Sequence, residues 1–262
     1  MVATRRTILR MCLALCAAML TGCGPQKVTP EARATLEAGV LVYEMHEPEM
    51  AVAELDHFIS DYRRTERVGE AYYYRGMAHR ELGHDDQARS DLLEVLDRAR
   101  NPDRRATAFL VLGDLAAESG DHDEAKTRYR QAIDGYDRAS SARPPVLLKL
   151  ADLLQRQGEF ADADLYFNQL TGTFPDTPEG RAAAERVHCR YWTVRLGTFS
   201  TRNDAALATQ VVGSEAITRP DRDAGRLVFH VQIGAMATYL EGQQLLTTHA
   251  EQFPAATLIV SR

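Results

Sequence analysis

The sequence predicts a mainly α protein, about four stacked helix–turn–helix units followed by a small α+β domain. Three observations carry this. First, a glycine, four mostly polar residues and an alanine recur as Gly83–Ala88, Gly120–Ala125 and Gly158–Ala163, with a weaker copy ending at Ala51 in which His46 takes the glycine's place. Second, the alanines at 51, 88, 125 and 163 are spaced by 37, 37 and 38 residues, and twelve residues before each lies another small residue: Gly39, Gly76, Gly113 and Ala151. Third, after Cys189 the helical period gives way to apolar–polar alternation. A fixed period in this range marks a stacked repeat; alternation marks half-buried strands.

Each repeat has a physical reading. A helix ends at the glycine, which takes the left-handed backbone that closes a helix. The acids that follow, such as Asp85, Asp86, Asp123 and Glu124, favour the start of the next helix as caps and through its dipole. The alanine sits where two helices cross and leaves no room for a larger side chain. Phe109, Leu112, Gly113 and Ala116, then Ala125, Tyr129 and Ala132, follow the helix period. Such a unit cannot bury its own face and stacks on a neighbour. Residues beyond the basic unit fall in linkers at Asn101–Arg105 and Ser140–Pro145, and Pro178–Val187 reads as a closing helix. The repeat region is therefore 31–188.

At these residues the chain resembles the tetratricopeptide repeat (TPR) family, whose pattern runs from a large residue through leucine and a small residue to alanine, an aromatic and proline. The last unit gives Leu147, Leu150, Ala151, Ala163, Phe167 and Pro175; the one before gives Phe109, Leu112, Gly113, Ala125 and Tyr129. The second gives Tyr72, Gly76, Ala88 and Leu92, with Arg75 in place of the leucine, and the first keeps only Gly39, Ala51 and Leu55. The resemblance implies an α-solenoid that binds a partner protein. Tyr72 matches the family's large core residue. Tyr73 and Tyr74 are the candidate partner-binding residues, with packing as the alternative.

The chain has 262 residues, 45% of them apolar, and a net charge of −6, so whole-chain charge leaves no nucleic-acid footprint. No G-x-x-x-x-G-K-[ST] or H-E-x-x-H occurs. His84 and His122 sit in the acidic turns of different repeats, which suits capping and does not suit convergent metal ligation. No catalytic residue, metal or cofactor is assigned, and a non-catalytic protein is expected.

Residues 1–22 read as an export signal: Arg5, Arg6 and Arg10 precede an apolar run from Met11 to Leu20 that is too short to span a bilayer. Leu20-Thr21-Gly22-Cys23 resembles the lipobox of bacterial lipoproteins, which implies cleavage before Cys23 and lipidation of that cysteine. Several acyl chains together give stable anchoring. The arginine pair also resembles a twin-arginine signal. Residues 23–30 read as a short tether. With the leader gone and Cys23 lipidated, only Cys189 is left, so no internal disulfide forms.

In the tail, Tyr191–Leu196 reads as a strand, Gly197–Ser200 as a turn, Asn203–Val212 as a helix and Ala216–Thr218 as a short strand before a Pro/Asp/Gly loop. Leu227–Gly234 reads as a strand, Thr238–Phe253 as a helix and Ala256–Val260 as a last strand. This β-α-β-β-α-β order is the ferredoxin-like split motif. Val194-Arg195-Leu196-Gly197-Thr198-Phe199 and Val231-Gln232-Ile233-Gly234-Ala235-Met236 place similar phrases in the two halves. On these phrases residues 190–262 resemble the sporulation-related repeat (SPOR) domain. That resemblance implies binding of peptidoglycan, specifically glycan strands denuded of stem peptides, on the open sheet face.

Period-two geometry sorts the faces. Trp192, Val194, Leu196, Leu227, Phe229, Val231 and Ile233 should pack on the helices. Tyr191, Thr193, Arg195, Val228, His230 and Gln232 should face outward. The candidate glycan-binding residues are Tyr191, Thr193, Arg195, Thr198, His230 and Gln232, with a merely solvated face as the alternative. The expectation is a lipid-anchored envelope adaptor, facing the periplasm from the outer membrane, that binds peptidoglycan and an envelope protein, at division sites where denuded glycan accumulates. The alternative is a TPR scaffold lipoprotein of an outer-membrane assembly or secretion complex.

Overall fold

A computed structural model describes residues 26–261. The leader and Cys23 lie outside the described residues. The chain forms two compact units that divide at Leu115/Ala116, inside a helix.

The first unit holds α1 (Pro30–Glu44), α2 (Pro48–Tyr62), α3 (Val68–Glu81), α4 (Asp85–Arg98) and most of α5 (Pro102–Glu118). Helices α1 and α3 end as the repeat requires: Gly83 has φ 72°, and His46 has φ 61°. The small residues lie at helix crossings. A Cβ on Gly39 would come within 2.8 Å of Leu55, and one on Gly76 within 3.1 Å of Asp91 Cβ. Ala32, Leu36, Ala51, Leu55, Phe58, Ala71 and Ala78 form one core, and Ala88, Leu92, Val95, Ala108, Val111, Leu112 and Leu115 another.

Two expectations change here. The tether is pinned, because Gln26 N–H donates to Arg64 C=O at 2.8 Å and Glu66 N–H donates to Gln26 C=O at 3.1 Å. The extra residues at Pro102–Arg105 are not a linker but the first turn of α5, where proline is tolerated because its N–H would be unpaired anyway.

The second unit continues with α6 (His122–Gly135), α7 (Arg143–Arg156), α8 (Phe160–Thr173) and α9 (Pro178–Arg186). Gly120 and Gly158 close the preceding helices at φ 83° and 84°. Ala125, Ala132, Leu147, Leu150, Ala151, Leu154, Ala163, Phe167 and Leu170 are all fully buried. Asp121 caps α6 by accepting from Glu124 N–H at 3.0 Å. The N-cap side chains Glu47, His84 and Glu159 form no such bond, and His122 is already the first residue of α6, so neither histidine caps. Those helices start on dipole complementarity alone.

The tail in this unit runs β1 (Tyr191–Phe199), α10 (Arg202–Val212), β2 (Ala216–Asp223), β3 (Arg226–Met236), α11 (Tyr239–His249) and β4 (Thr257–Ser261). It forms a four-stranded antiparallel sheet in the order β2-β3-β1-β4. One face packs on the helices: Val194, Leu196, Val231 and Ile233 meet Ala205 and Ala208 of α10, with Leu245 and Leu246 of α11 packed alongside.

Strands β1 and β2 both run further than expected. β1 does not turn at Gly197 but continues to Phe199 after an irregularity between Arg195 and Gly197. β2 runs through Pro220 to Asp223, which an edge strand permits because its outward N–H needs no partner. Ala224 (φ 46°) and Gly225 (φ 81°) form the two-residue turn, both with positive φ, that suits a tight hairpin. Leu227, expected in the core, is 54% exposed. It pairs only with Arg222 of β2, beyond the point where β1 ends opposite Phe229.

Candidate functional site

In the first unit the three tyrosines of α3 are half-buried. Tyr72 and Tyr73 pack on the Ala88–Leu115 core and Tyr74 on the Ala32–Ala78 core. Tyr73 meets Tyr74 edge-on with ring centroids 5.2 Å apart, and Tyr74 lies 5.5 Å from Tyr43. The Arg104 guanidinium covers both Tyr73 and Tyr74, at 5.9 and 5.5 Å. The two candidate partner-binding residues thus belong to one aromatic–cation cluster that also packs the array. The Tyr43 hydroxyl donates to Glu81 at 2.8 Å, and burial first, then Glu81, push its pKa up.

The departure at Arg75 also has a cause. Its guanidinium grips the carboxylate of Asp91 with two hydrogen bonds, of 2.8 and 2.5 Å, and Asp91 is 3% exposed. It also contacts Asp56. Burial opposes its charge, but the two aspartates outweigh that and hold its pKa above the ordinary value.

In the second unit the face of the sheet opposite the helices gathers the other candidates. Register places Tyr191, Thr193 and Arg195 of β1 beside Gln232 and His230 of β3, with Ile217, Arg219 and Asp221 of β2 on one flank and Thr257, Ile259 and Ser261 of β4 on the other. Arg195 stands directly across from Gln232, and Thr198 across from His230.

A chain of hydrogen bonds crosses this face. The Thr198 hydroxyl meets His230 Nδ1 at 2.8 Å, and His230 Nε2 meets the Asp221 carboxylate at 3.3 Å. Arg219 donates to the Tyr191 hydroxyl at 2.7 Å and reaches Ser261 Oγ at 3.5 Å, so it spans from the β2 edge to β4. Thr193 Oγ1 donates to Ile233 C=O at 3.0 Å.

Thr193, Gln232 and His230 are 1%, 5% and 8% exposed, although α10 and α11 pack on the other side. Arg219 reaches across the same face from the β2 edge. Among the described residues Arg195 Nε and Gln232 Oε1 are both buried without a hydrogen-bond partner. A donor and an acceptor left unmade side by side are costly in a finished structure; in a binding face they are groups a ligand can satisfy.

Arg219 and Asp221 escaped the sequence reading because Pro220 suggested a loop, and Ser261 because the last strand was read as ending at Val260. The alternation Ile217, Arg219, Asp221 was the available signal. Trp192 has the helix-side phase and is 6% exposed, but it packs away from the central core. Its indole N–H donates to Gln155 C=O of α7 at 3.1 Å, and its ring meets Tyr239 edge-on at 5.0 Å. Among the described residues no cluster of three or more His, Cys, Asp or Glu side chains can hold a metal, and no helix is long and apolar enough to cross a membrane.

Comparison with known proteins bears on the repeats. Residues 67–138 and, overlapping them, 116–187 each match the family described as tetratricopeptide repeat. No curated protein matches the chain. Among solved structures, the type IV pilus biogenesis factor PilW shares 19% identity at a TM-score of 0.49, over 58% of this chain and 67% of its own. PilF of Pseudomonas aeruginosa shares 23% at 0.48, over 59% and 68%. MamA shares 19% at 0.47, over 59% and 81%. The helices between residues 67 and 187 are tetratricopeptide repeats.

Proposed function

We propose that the protein is a lipid-anchored adaptor of the bacterial cell envelope: Cys23 carries the lipid, the repeats bind a partner protein and the tail binds glycan strands of peptidoglycan. Tetratricopeptide arrays are protein-binding scaffolds in general, and Tyr73 and Tyr74, covered by Arg104, offer a partner peptide an aromatic surface. The tail's β-α-β-β-α-β order with strand order β2-β3-β1-β4 fits the ferredoxin-like layout of a SPOR domain. The observation that carries the glycan reading is the polar sheet face itself, in which Gln232 Oε1 and Arg195 Nε are buried without a hydrogen-bond partner among the described residues, on the face that also carries Tyr191. A sugar chain supplies hydroxyl donors and acceptors for both and a ring face for the tyrosine.

Co-sedimentation of the detergent-solubilised full-length protein with peptidoglycan tests this. Retention on denuded sacculi is the expected result. Failure to pellet would favour a scaffold in a protein assembly instead. Incorporation of labelled fatty acid, lost in Cys23→Ser, is expected for the anchor; a wild-type protein that never takes up label would refute it.

A further inference from the structure

Charge in the first unit is segregated between the two ends of its helices. At one end lie residues 26–29, 63–67 and 99–101, tied together by the bonds of Gln26 to Arg64 and Glu66 and by Arg100, which donates to Glu66 at 2.9 Å. At the other end lie the α1–α2 and α3–α4 turns, joined where the Tyr43 hydroxyl donates to Glu81. The first set of connections carries Lys27, Arg63, Arg64, Arg67 and Arg100 against one acid, Glu66. With the adjoining four residues of each helix added, that end has nine lysines and arginines and six acids. The other end, counted the same way, has six acids and one arginine, Arg80.

Pairing sharpens the contrast. Glu66 and Glu70 are already held by Arg67, Arg100 and Arg104. Lys27, Arg63 and Arg64 are exposed, and among the described residues none of the three holds an acid. They flank the bridge between Gln26 and Thr65. In a chain of net charge −6, this leaves a local positive field at one end of the unit.

The same end is where the chain leads back to Cys23. Three residue steps join Gln26 to Cys23, and they span at most about 11 Å. Gln26 is pinned between Arg64 and Glu66, so a lipid on Cys23 would hold this end close to the bilayer. That distance is comparable with the electrostatic screening length of about 8 Å at physiological salt. A longer or unpinned tether would let the cations drift out of range.

We infer that the first unit lies with this end on an anionic phospholipid surface, where Lys27, Arg63 and Arg64 contact headgroup phosphates, and that its acidic turns point away from the membrane. This rests on the reading of Cys23 as the lipid anchor. A guanidinium meets a phosphate through paired charge-assisted hydrogen bonds. The acidic turns are repelled by the same surface, so both ends favour one orientation. Each cation close to an anionic bilayer contributes about a fivefold bias, and three together on the order of a hundredfold. The acyl chains supply the local concentration that the net negative charge of the chain would otherwise oppose.

The test uses the processed, acylated protein in two kinds of vesicle: phosphatidylcholine alone, and equal parts phosphatidylcholine and phosphatidylglycerol. Both contain a lipid with a spin-labelled headgroup that quenches nearby fluorophores. A maleimide fluorophore is placed at Ser60→Cys, beside the basic end, or at Gln87→Cys, beside the acidic end; both positions are exposed, and Cys189 is buried. On the mixed vesicles the probe at 60 should be quenched several-fold more than the probe at 87. Lys27→Gln, Arg63→Gln and Arg64→Gln combined should bring the probe at 60 down to its level on phosphatidylcholine alone, and high salt should do the same. Circular dichroism melts check that the combined variant keeps its fold.

Equal quenching at 60 and 87 on the mixed vesicles would overturn the orientation. Preferential quenching at 60 that neither the lipid charge nor the combined variant alters would show the tether acting alone, and would overturn the contact with anionic headgroups. Flotation of the same samples reads the anchor separately: a protein that floats with neither vesicle would overturn the lipid reading of Cys23 and this inference with it.

Discussion

Arg75 shows how a single residue can depart from its family pattern for a local reason. Leucine at this position would match the repeat consensus, yet Asp91 beneath it is 3% exposed and needs the guanidinium. Arg75→Leu should therefore destabilise the protein by about 3 kcal/mol, because breaking one side of a buried pair strands the other charge. Adding Asp91→Leu should recover most of that loss in urea melts, and a stable Arg75→Leu single variant would refute the account. Gly120 poses a simpler case. It sits at φ 83° with open space around its missing Cβ. Gly120→Ala should cost about 1 kcal/mol from the backbone alone. Ala125 is fully buried, so Ala125→Leu should overpack the crossing and lower stability by about 1–3 kcal/mol; an unchanged melting temperature would contradict the repeat register.

At the scale of elements, the hairpin of β2 and β3 is longer than its sequence suggests. Leu227 lies on its projecting end, so Leu227→Ser should change stability by no more than about 0.5 kcal/mol. Ile233 is 1% exposed on the same strand, and Ile233→Ala should cost about 2–5 kcal/mol. The repeat helices were legible because small residues must recur wherever helices cross, and even His46 follows the glycine's backbone. The central strands were legible through alternation. What was not legible is where strands stop: Pro220 looks like a breaker until β2 is known to be an edge, and Gly197 looks like a turn until the irregularity at Arg195 carries β1 past it. The candidate face suffers from the same blind spot. Thr193, His230 and Gln232 have the outward phase, but Arg219, which stretches across their face, comes from the segment read as a loop.

At the scale of the second unit, the tail is locked to the repeats that precede it. Trp192 donates to Gln155 of α7, and Tyr239 lies between the Trp192 ring and the Arg156 guanidinium, which covers it at 4.8 Å. Asp164 of α8 accepts from His188 N–H at 2.8 Å and from Arg190 at 2.7 Å. A fragment that begins at residue 190 would strip Gln155 from Trp192, Arg156 from Tyr239 and Asp164 from Arg190, and binding assays therefore need the whole chain. Burial alone would raise the Asp164 pKa, but the His188 N–H and Arg190 outweigh it and hold the carboxyl below its ordinary value. A carboxyl lowered in the folded state stabilises fully above its unfolded pKa of about 3.9 and loses that contribution as pH falls through the folded value. Trp192 fluorescence should thus report a junction that is tight at neutral pH and loosens only below about pH 4. Asp164→Asn should loosen it at neutral pH and flatten the acid response; an acid response identical to wild type would contradict this role.

The central claim is that the open face of the tail sheet, rather than the repeats, holds the glycan. Magnetic resonance on the full-length protein titrated with denuded glycan fragments tests it most directly, through the side-chain signals of the two unpaired groups. The account predicts that the Gln232 amide and the Arg195 Nε–H shift together and saturate with the fragment, while signals from residues 67–187 stay in place. Shifts confined to the repeats, or no shift at Gln232 and Arg195 under saturating glycan, would contradict it.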